Sequence, residues 1–308
     1  LEYLGQLTGN GILTGQHTKT RGMEELHHIE KITGKQPALL GFELLSYSPN
    51  INYLDTDEAC IKEVEDNFGT LKRAWEWAAQ KGLITLTWLG SPLWAALQGL
   101  LYRQYRFRRF PAVMEGTPEY EALLSDMDMM AALLKPFCRP GIPILWRPLH
   151  EASGGWFWWG ASGPEAYIEL YRLLYDRLTN VHGVNNLIWV WNGQDAAWYP
   201  GDEYVDIIGE DIYPGEKVYA SQSGRFLKAL SYTNTRKIIT LSENGCIPDP
   251  DQCIRDEIMW SWWCTWEGEF VLKSQGFNDY SDRYTEKKVL KRMHGIFWIA
   301  VVIAYFLI

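Results

Sequence analysis

The feature that most restricts the fold of this chain is an alternation of short apolar runs with longer amphipathic stretches. Eight runs have the length and the β-branched and aromatic content of buried strands, and helical stretches lie between most of them. Eight strands alternating with helices over about 300 residues predict an α/β fold, a (β/α)8 barrel of a single domain. The runs are GILTG near residue 12, ALLGFEL from 38, LITLTW from 83, IPILWRP from 142, NLIWVW from 186, DIIGEDIY from 206, KIITLSE from 237 and WSWWCTW from 260.

The predicted helices between these runs carry recognisable ends. The clearest one spans 117–135, where Thr117 serves as the cap and Pro118 takes the first helical position. Further helices are predicted at 57–81, 164–178 and 223–232. A doubly wound open sheet would show the same alternation with fewer strands, but no Gly-rich phosphate loop follows the first strand. The closed barrel is therefore the favoured architecture.

Composition narrows the class of partner. A net charge of −9 argues against nucleic acid, because phosphate binding is driven by Lys and Arg. The 16 Trp and 17 Tyr suggest a surface for flat, amphipathic ligands. The five cysteines form no CxxC motif, and no metal site is legible. A bridge between Cys246 and Cys253 remains open, although mostly free, buried thiols are expected.

Carboxylates fall where a barrel enzyme needs them. Functional residues of such barrels follow the carboxyl ends of the strands. The fourth run leads into His150 and Glu151, the sixth into Asp211 and Tyr213, and the seventh into Glu243. Cleavage of a glycosidic bond needs two carboxyl groups that flank one sugar linkage. Glu151 and Glu243 are therefore the predicted catalytic pair.

The run WRPLHEASGGWFWWG, residues 146–160, places four aromatic side chains directly after Glu151. Sugar rings have apolar faces that stack on indole rings, so the segment from Trp156 to Trp159 is expected to line a cleft beside the acid. Apolar rings would raise the pKa of Glu151 by desolvation, as an acid catalyst requires. Glu243 would need hydrogen-bond donors to stay ionised.

That run also resembles the acid/base motif of glycoside hydrolase family 26, whose members are mostly β-mannanases. The resemblance continues in GILTGQH, TGKQPALLGFEL, YPGDEYVDIIGEDIY and IITLSENG, and covers most of residues 1–270. It implies a retaining (β/α)8 enzyme in which Glu151 is the general acid/base and Glu243 the nucleophile.

The resemblance also implies a set of substrate-binding residues. His150 would assist around the acid, Trp156 would contact sugar at the point of cleavage, and Tyr213 would orient the nucleophile. Asp211 would belong to the same network. Trp159, from the aromatic run, and Trp263, on the eighth strand, complete the predicted substrate-binding set.

Two segments depart from the family pattern. Residues 1–295 form the predicted catalytic domain, and within it 89–114 do not match. The family usually has His directly after the third-strand Trp, whereas this chain has Leu89 and Gly90, which predicts a weakened enzyme. The segment is either a divergent loop or the product of two compensating frameshifts. Residues 296–308 are apolar and unassigned, and they are too short for a spanning helix, which needs about 20 residues.

The predicted function is hydrolysis of β-1,4-mannan, galactomannan or glucomannan by an endo-acting enzyme through double displacement, with no cofactor and no metal. A mixed-linkage β-1,3-1,4-glucanase, a β-1,3-xylanase and a weakly active or non-catalytic carbohydrate-binding relative remain alternatives. Retention goes with a carboxyl separation of about 5–5.5 Å. A secreted monomer acting on plant cell-wall polysaccharide is expected, with no nucleic-acid or membrane partner. Secretion follows here from the polymeric substrate and not from any segment of the chain.

Overall fold

A computed structural model describes residues 1–48, 58–89 and 115–272. Eight parallel strands follow one another in chain order round a closed barrel. Each of the eight predicted runs overlaps one of these strands, so the (β/α)8 prediction is confirmed. The strands are β1 (Leu13–His17), β2 (Leu39–Glu43), β3 (Leu83–Trp88), β4 (Ile144–Pro148), β5 (Leu187–Trp191), β6 (Ile207–Ile212), β7 (Ile238–Asn244) and β8 (Trp262–Thr265).

Helices lie between most of the strands, as predicted, whereas only short 3-10 turns lie between β5 and β6. Among the described residues, no helix is long and apolar enough to cross a membrane. The predictions for 90–114 and for 296–308 lie outside the described residues. The helices are α1 (Glu2–Leu7), α2 (Glu24–Thr33), α3 (Glu58–Asp66), α4 (Thr70–Ala79), α5 (Pro118–Leu134), α6 (Pro164–Tyr175), α7 (Ser223–Leu230), α8 (Pro250–Arg255) and α9 (Glu269–Leu272).

The start of α5 has the predicted cap. The Thr117 side-chain oxygen accepts a hydrogen bond from the backbone N–H of Tyr120 at 3.2 Å, and Pro118 occupies the first turn. This cap satisfies one of the amide groups that a helix leaves without an internal partner. The sequence signal and the local geometry therefore agree.

The single helix predicted at 57–81 is wrong, because the chain forms α3 and α4 with a break between them. Gly69 adopts a left-handed φ of 84°, which ends helical continuity. The Asn67 side chain donates to the carbonyl of Glu63 at 3.0 Å, and the Thr70 hydroxyl donates to the Asn67 carbonyl at 2.7 Å. These bonds stabilise the break between α3 and α4. The apolar periodicity of the sequence continues across it, and for that reason the pattern predicted one helix.

The chain divides into two compact units, 1–41 with 207–272 and 42–206. The core of the first unit includes Trp260, Trp262 and Trp263, each no more than 1% exposed. The core of the second includes Trp146 and Trp191, both fully buried. Tryptophans on strands, or just before one in the case of Trp260, therefore build the interior of both units, whereas the exposed aromatic rings of the described residues lie on loops and helices.

The four cysteines whose side chains the structure describes form no disulfide. Cys246 and Cys253 are both buried and are not joined to each other, so the bridge that the sequence left open does not form. Cys264 is also a buried thiol, and Cys138 is a half-buried one. Free thiols of this kind pack as small apolar side chains.

Candidate active site

The loop after β4 has an unusual backbone. Leu149 and Glu151 have left-handed φ values of 51° and 54°, a region that residues other than glycine rarely occupy. The N–H of Glu151 donates to the carbonyl of Asn192 at 2.8 Å, and the N–H of Ser153 donates to the carbonyl of Gly193 at 3.2 Å. Strained backbone persists only where surrounding contacts fix it, and it concentrates at functional sites. The loop therefore presents Glu151 in a fixed direction.

Trp156 is the aromatic partner of Glu151. Its indole Nε1–H donates to Oε2 of the half-buried Glu151 at 3.0 Å. The ring of Trp156 is 52% exposed, so a large apolar face lies open beside the carboxylate. A Cβ at Gly154 would lie 2.1 Å from this ring, so only glycine allows the close approach. Trp156 can therefore hold a carboxylate with its edge and a ligand with its face.

The other rings of the run pack behind Trp156. Phe157 and Trp159 are stacked, with centroids 4.4 Å apart and an angle of 16° between their planes. Trp159 is 2% exposed and donates through Nε1 to the carbonyl of His150 at 2.7 Å. Trp158 is buried against Trp159 in an edge-on contact. This cluster fixes the position of His150, whose ring lies 5.1 Å from that of Phe157.

Tyr213 and Glu243 meet where β6 and β7 end. The Tyr213 hydroxyl donates a short hydrogen bond to Oε1 of Glu243. Glu243 is 5% exposed, whereas Tyr213 is 40% exposed. Phe270 packs on Tyr213 at 5.2 Å, and a Cβ at Gly245 would lie only 2.9 Å from Cδ1 of Tyr213. Phe270 and Gly245 therefore restrict the position of the Tyr213 ring, and its hydroxyl is hydrogen-bonded to the Glu243 carboxylate.

Asp211 and Trp263 are more enclosed. Asp211 lies opposite Glu243 in the ladder of β6 and β7 and is 5% exposed. Trp263 lies opposite Leu241 in the ladder of β7 and β8 and is 1% exposed. Both residues are therefore enclosed beside β7, and a direct contact of either one with sugar stays a prediction.

A further carboxylate, which the sequence reasoning did not single out, lies at the end of β2. Glu43 is 5% exposed, and its Oε1 accepts hydrogen bonds from the N–H groups of Leu44 at 2.9 Å and Leu89 at 3.0 Å. Thr87 donates a short hydrogen bond to Oε2. Burial raises the pKa of Glu43 to about 7, against the opposing effect of these donors. The sequence did contain a signal for this residue, because Glu43 is an acidic residue near the end of an apolar strand run.

The environment of Leu89 shows what replaces the family's third-strand His. Leu89 packs against the buried side chains of Leu45 and Val64. It is half-buried, and its backbone is held by Glu43. An apolar side chain at this place donates no hydrogen bond.

His17 and Trp266 were not among the predicted site residues. His17 ends β1 and is 3% exposed, and its ring lies 4.9 Å from that of Trp266. Trp266 is half-buried and follows β8, and its N–H donates to the carbonyl of Asn244 at 2.9 Å. Both side chains therefore lie at strand ends, where the barrel fold places functional residues.

Comparison with known proteins assigns the family. The model of glycosyl hydrolase family 26 matches residues 1–292. The chain belongs to glycosyl hydrolase family 26, and the expectation that the sequence motifs raised is confirmed.

Two similar proteins are named mannan endo-1,4-beta-mannosidases. A mannan endo-1,4-beta-mannosidase of Thermothelomyces thermophilus is 36% identical over 279 residues, which are 89% of this chain and 55% of the relative. Mannan endo-1,4-beta-mannosidase A of a Piromyces species is 35% identical over 250 residues, 81% of this chain and 39% of the relative. The chain therefore spans about half the length, or less, of these curated relatives.

Solved structures show the same fold. A beta-mannanase from a symbiotic protist of the termite Reticulitermes speratus, complexed with gluco-manno-oligosaccharide, is 28% identical. It superimposes with a TM-score of 0.78 over 94% of this chain and 92% of that one.

Proposed function

We propose that this chain hydrolyses β-1,4-mannan, galactomannan or glucomannan at internal linkages, with net retention of anomeric configuration. Family membership supports glycoside hydrolysis, and the names of the similar proteins support mannan as the substrate class. The observation that carries the proposal is a pair of carboxylates at the carboxyl ends of strands, Glu151 after β4 and Glu243 near the end of β7, each bonded by an aromatic donor. Trp156 bonds Glu151, and Tyr213 bonds Glu243.

Glu243 suits the role of nucleophile. It is the penultimate residue of β7, and the Tyr213 hydroxyl donates a hydrogen bond to its Oε1. In the first step Oε of Glu243 forms a bond to the anomeric carbon as the glycosidic C–O bond breaks. The product is a covalent glycosyl-enzyme ester and a free leaving-group sugar. The same hydrogen bond also holds the carboxylate still for the attack.

Glu151 suits the role of general acid and then general base. Its carboxyl proton passes to the departing glycosidic oxygen in the first step. The resulting carboxylate removes a proton from water in the second step, as the water oxygen attacks the anomeric carbon and releases Glu243. The half-buried position of Glu151 leaves one side open for this exchange.

The remaining predicted residues act around this pair. Trp156 is the proposed sugar platform, because its exposed face adjoins the acid. Trp159 and His150 are proposed to fix the acid loop, and Asp211 and Trp263 are proposed to fix the end of β7. Their contribution to substrate binding would then act through the residues that they position.

A test of the proposal measures reducing-sugar release and loss of viscosity on galactomannan, lichenan and β-1,3-xylan. Rapid loss of viscosity on galactomannan with little release from the other two polymers is expected. The Glu243→Ala variant should lose turnover by a factor of about 10⁴ or more while still binding the polymer. Glu203→Ala, at an exposed carboxylate, is the matched control and should behave as wild type. Preferred cleavage of lichenan or xylan would replace the proposal with one of those activities.

We also propose that the protein acts as a secreted monomer, because a polymeric plant cell-wall substrate must be met outside the cell. Gel filtration with light scattering and recovery of activity from culture medium test these two points. A stable dimer, or activity confined to the cell interior, would contradict them.

A further inference from the structure

Strand β7 contains a β-bulge directly before Glu243. In its ladder with β6, Leu241 lies opposite Glu210, but the next partners are Glu243 and Asp211. Ser242 is therefore an extra residue on β7. The pairing with β8 shifts over the same stretch. A bulge bends the strand and redirects the following side chain. The direction of the Glu243 carboxylate therefore depends on this bulge.

The carbonyl group of the bulged residue has a partner on β1. Nε2 of His17 lies 3.3 Å from the carbonyl oxygen of Ser242, which is 225 residues away in sequence. A carbonyl oxygen only accepts, so this contact requires a proton on Nε2. Both residues are buried, with exposures of 3% and 2%. An N–H donor from His17 thus satisfies a backbone acceptor that the bulge removes from regular pairing.

The ring of His17 has little freedom to move. A Cβ at Gly41, on β2, would lie 2.3 Å from Nδ1 of His17, so glycine makes room for the imidazole. Trp266 packs against the same ring at 4.9 Å with an angle of 48°. Contacts with β2, with the residue that follows β8 and with the bulge therefore hold the His17 side chain in one orientation. In that orientation Nε2 faces the carbonyl of Ser242.

We propose that His17 is a positioning residue that holds the β7 bulge and so aims Glu243 at the anomeric carbon. The inference rests on the proposed role of Glu243 as nucleophile. It adds a second residue to that step, one that need not touch the sugar. His17 forms no bond to sugar in this role. It acts on the attack step through the backbone of Ser242, where small displacements are costly because a shift of about 1 Å can reduce the rate roughly 100-fold.

The first test compares His17→Leu with His17→Gln. Leucine keeps most of the volume and removes the donor, whereas glutamine places an amide N–H near the position of Nε2. His17→Leu should lower kcat on manno-oligosaccharides at least about tenfold with KM changed less than about threefold, and His17→Gln should recover most of that loss. His27→Leu, on the exposed face of α2, is the matched control. Equal kcat values for His17→Leu and His17→Gln would overturn the proposal.

A second test separates the orientation of the Glu243 carboxylate from general damage to the active site. In a Glu243→Gly background, azide can replace the carboxylate. An azide nitrogen forms the bond to the anomeric carbon of an aryl β-mannobioside while the bond to the aryloxide breaks and the aryloxide leaves. This reaction needs no aimed carboxylate, so adding His17→Leu should leave the azide-dependent rate unchanged. A loss equal to that seen in the parent background would overturn the proposal.

A measurement on the unmodified protein covers the case in which His17→Leu does not fold. Nitrogen-15 NMR of the imidazole groups should show His17 protonated at Nε2, with its signal assigned by its loss in His17→Gln. A neutral His17 protonated only at Nδ1 would overturn the proposal. This result does not depend on turnover, so it stays distinct from failure of the proposed function, which would appear as wild-type protein that cleaves no β-mannan.

Discussion

Replacement of Glu43 by glutamine tests the electrostatics of the buried carboxyl group at the end of β2. Glutamine keeps the shape of the side chain and its acceptor for the N–H groups of Leu44 and Leu89. Its NH2 group faces the Thr87 hydroxyl, which has the carbonyl of Phe42 as a second acceptor at 3.2 Å. The variant therefore imitates the protonated form of Glu43 and cannot ionise.

The magnitude follows from linkage between protonation and folding. Burial raises the pKa of Glu43 from an ordinary 4.5 to about 7, with Glu63 adding to the increase and Arg147 opposing it. Between these two values the folded protein holds a proton that the unfolded chain has released. The stability that Glu43 contributes is therefore complete below pH 4.5 and is lost as pH rises through 7. The loss amounts to about 3 kcal/mol, since the carboxyl group is fully enclosed.

Urea unfolding of both proteins at several values between pH 4.5 and 8.5 measures this loss. All other titrating groups are common to both proteins, so their effects cancel in the difference of unfolding free energies. Relative to wild type, Glu43→Gln should gain about 3 kcal/mol over this range. The exposed Glu203→Gln is the control and should give parallel curves. A difference for Glu43→Gln that stays constant within about 1 kcal/mol would refute the reasoning.

Three further substitutions test individual contacts. Trp156→Phe keeps an aromatic face but removes the hydrogen bond to Glu151, so kcat/KM on manno-oligosaccharides should fall roughly 10- to 100-fold; an unchanged value would contradict the role of this bond. Tyr213→Phe removes the donor to Glu243 and should lower kcat by a similar factor with KM within about threefold, and a change in KM alone would count against it. Thr117→Ala removes the cap of α5 and should cost about 1 kcal/mol in urea unfolding with activity retained; no loss would show that the cap is dispensable.

The strands were predictable because their signal is local. Each run of apolar residues carries its own length and its own flanking turns, as in LITLTW, which forms β3. Given a barrel, the strand ends follow from the runs, and these ends carry Glu151, Tyr213 and Glu243. The aromatic run after Glu151 showed which loop matters, but not that Trp156 is exposed while Trp159 is enclosed. That difference depends on how the loop folds back on itself.

The rest depends on contacts between residues that are distant in sequence. Glu43 takes its character from Thr87, 44 residues away, and His17 from Ser242, 225 residues away. No local sequence pattern indicates a contact with a residue so distant along the chain. The break between α3 and α4 was missed for a different reason, because the apolar periodicity continues across Gly69 while the backbone does not. The β7 bulge was equally hidden, since one extra residue leaves the apolar pattern of the run intact.

The central claim is that Glu151 and Glu243 together cleave β-mannan by double displacement, and the anomeric form of the first product tests it most directly. Proton NMR can follow the hydrolysis of a β-1,4-manno-oligosaccharide at early times, before mutarotation equilibrates the new reducing end. The account predicts that the β-anomer appears first, and that no product forms with Glu243→Ala. First appearance of the α-anomer would contradict the account, because it would mean direct attack by water and no glycosyl-enzyme on Glu243.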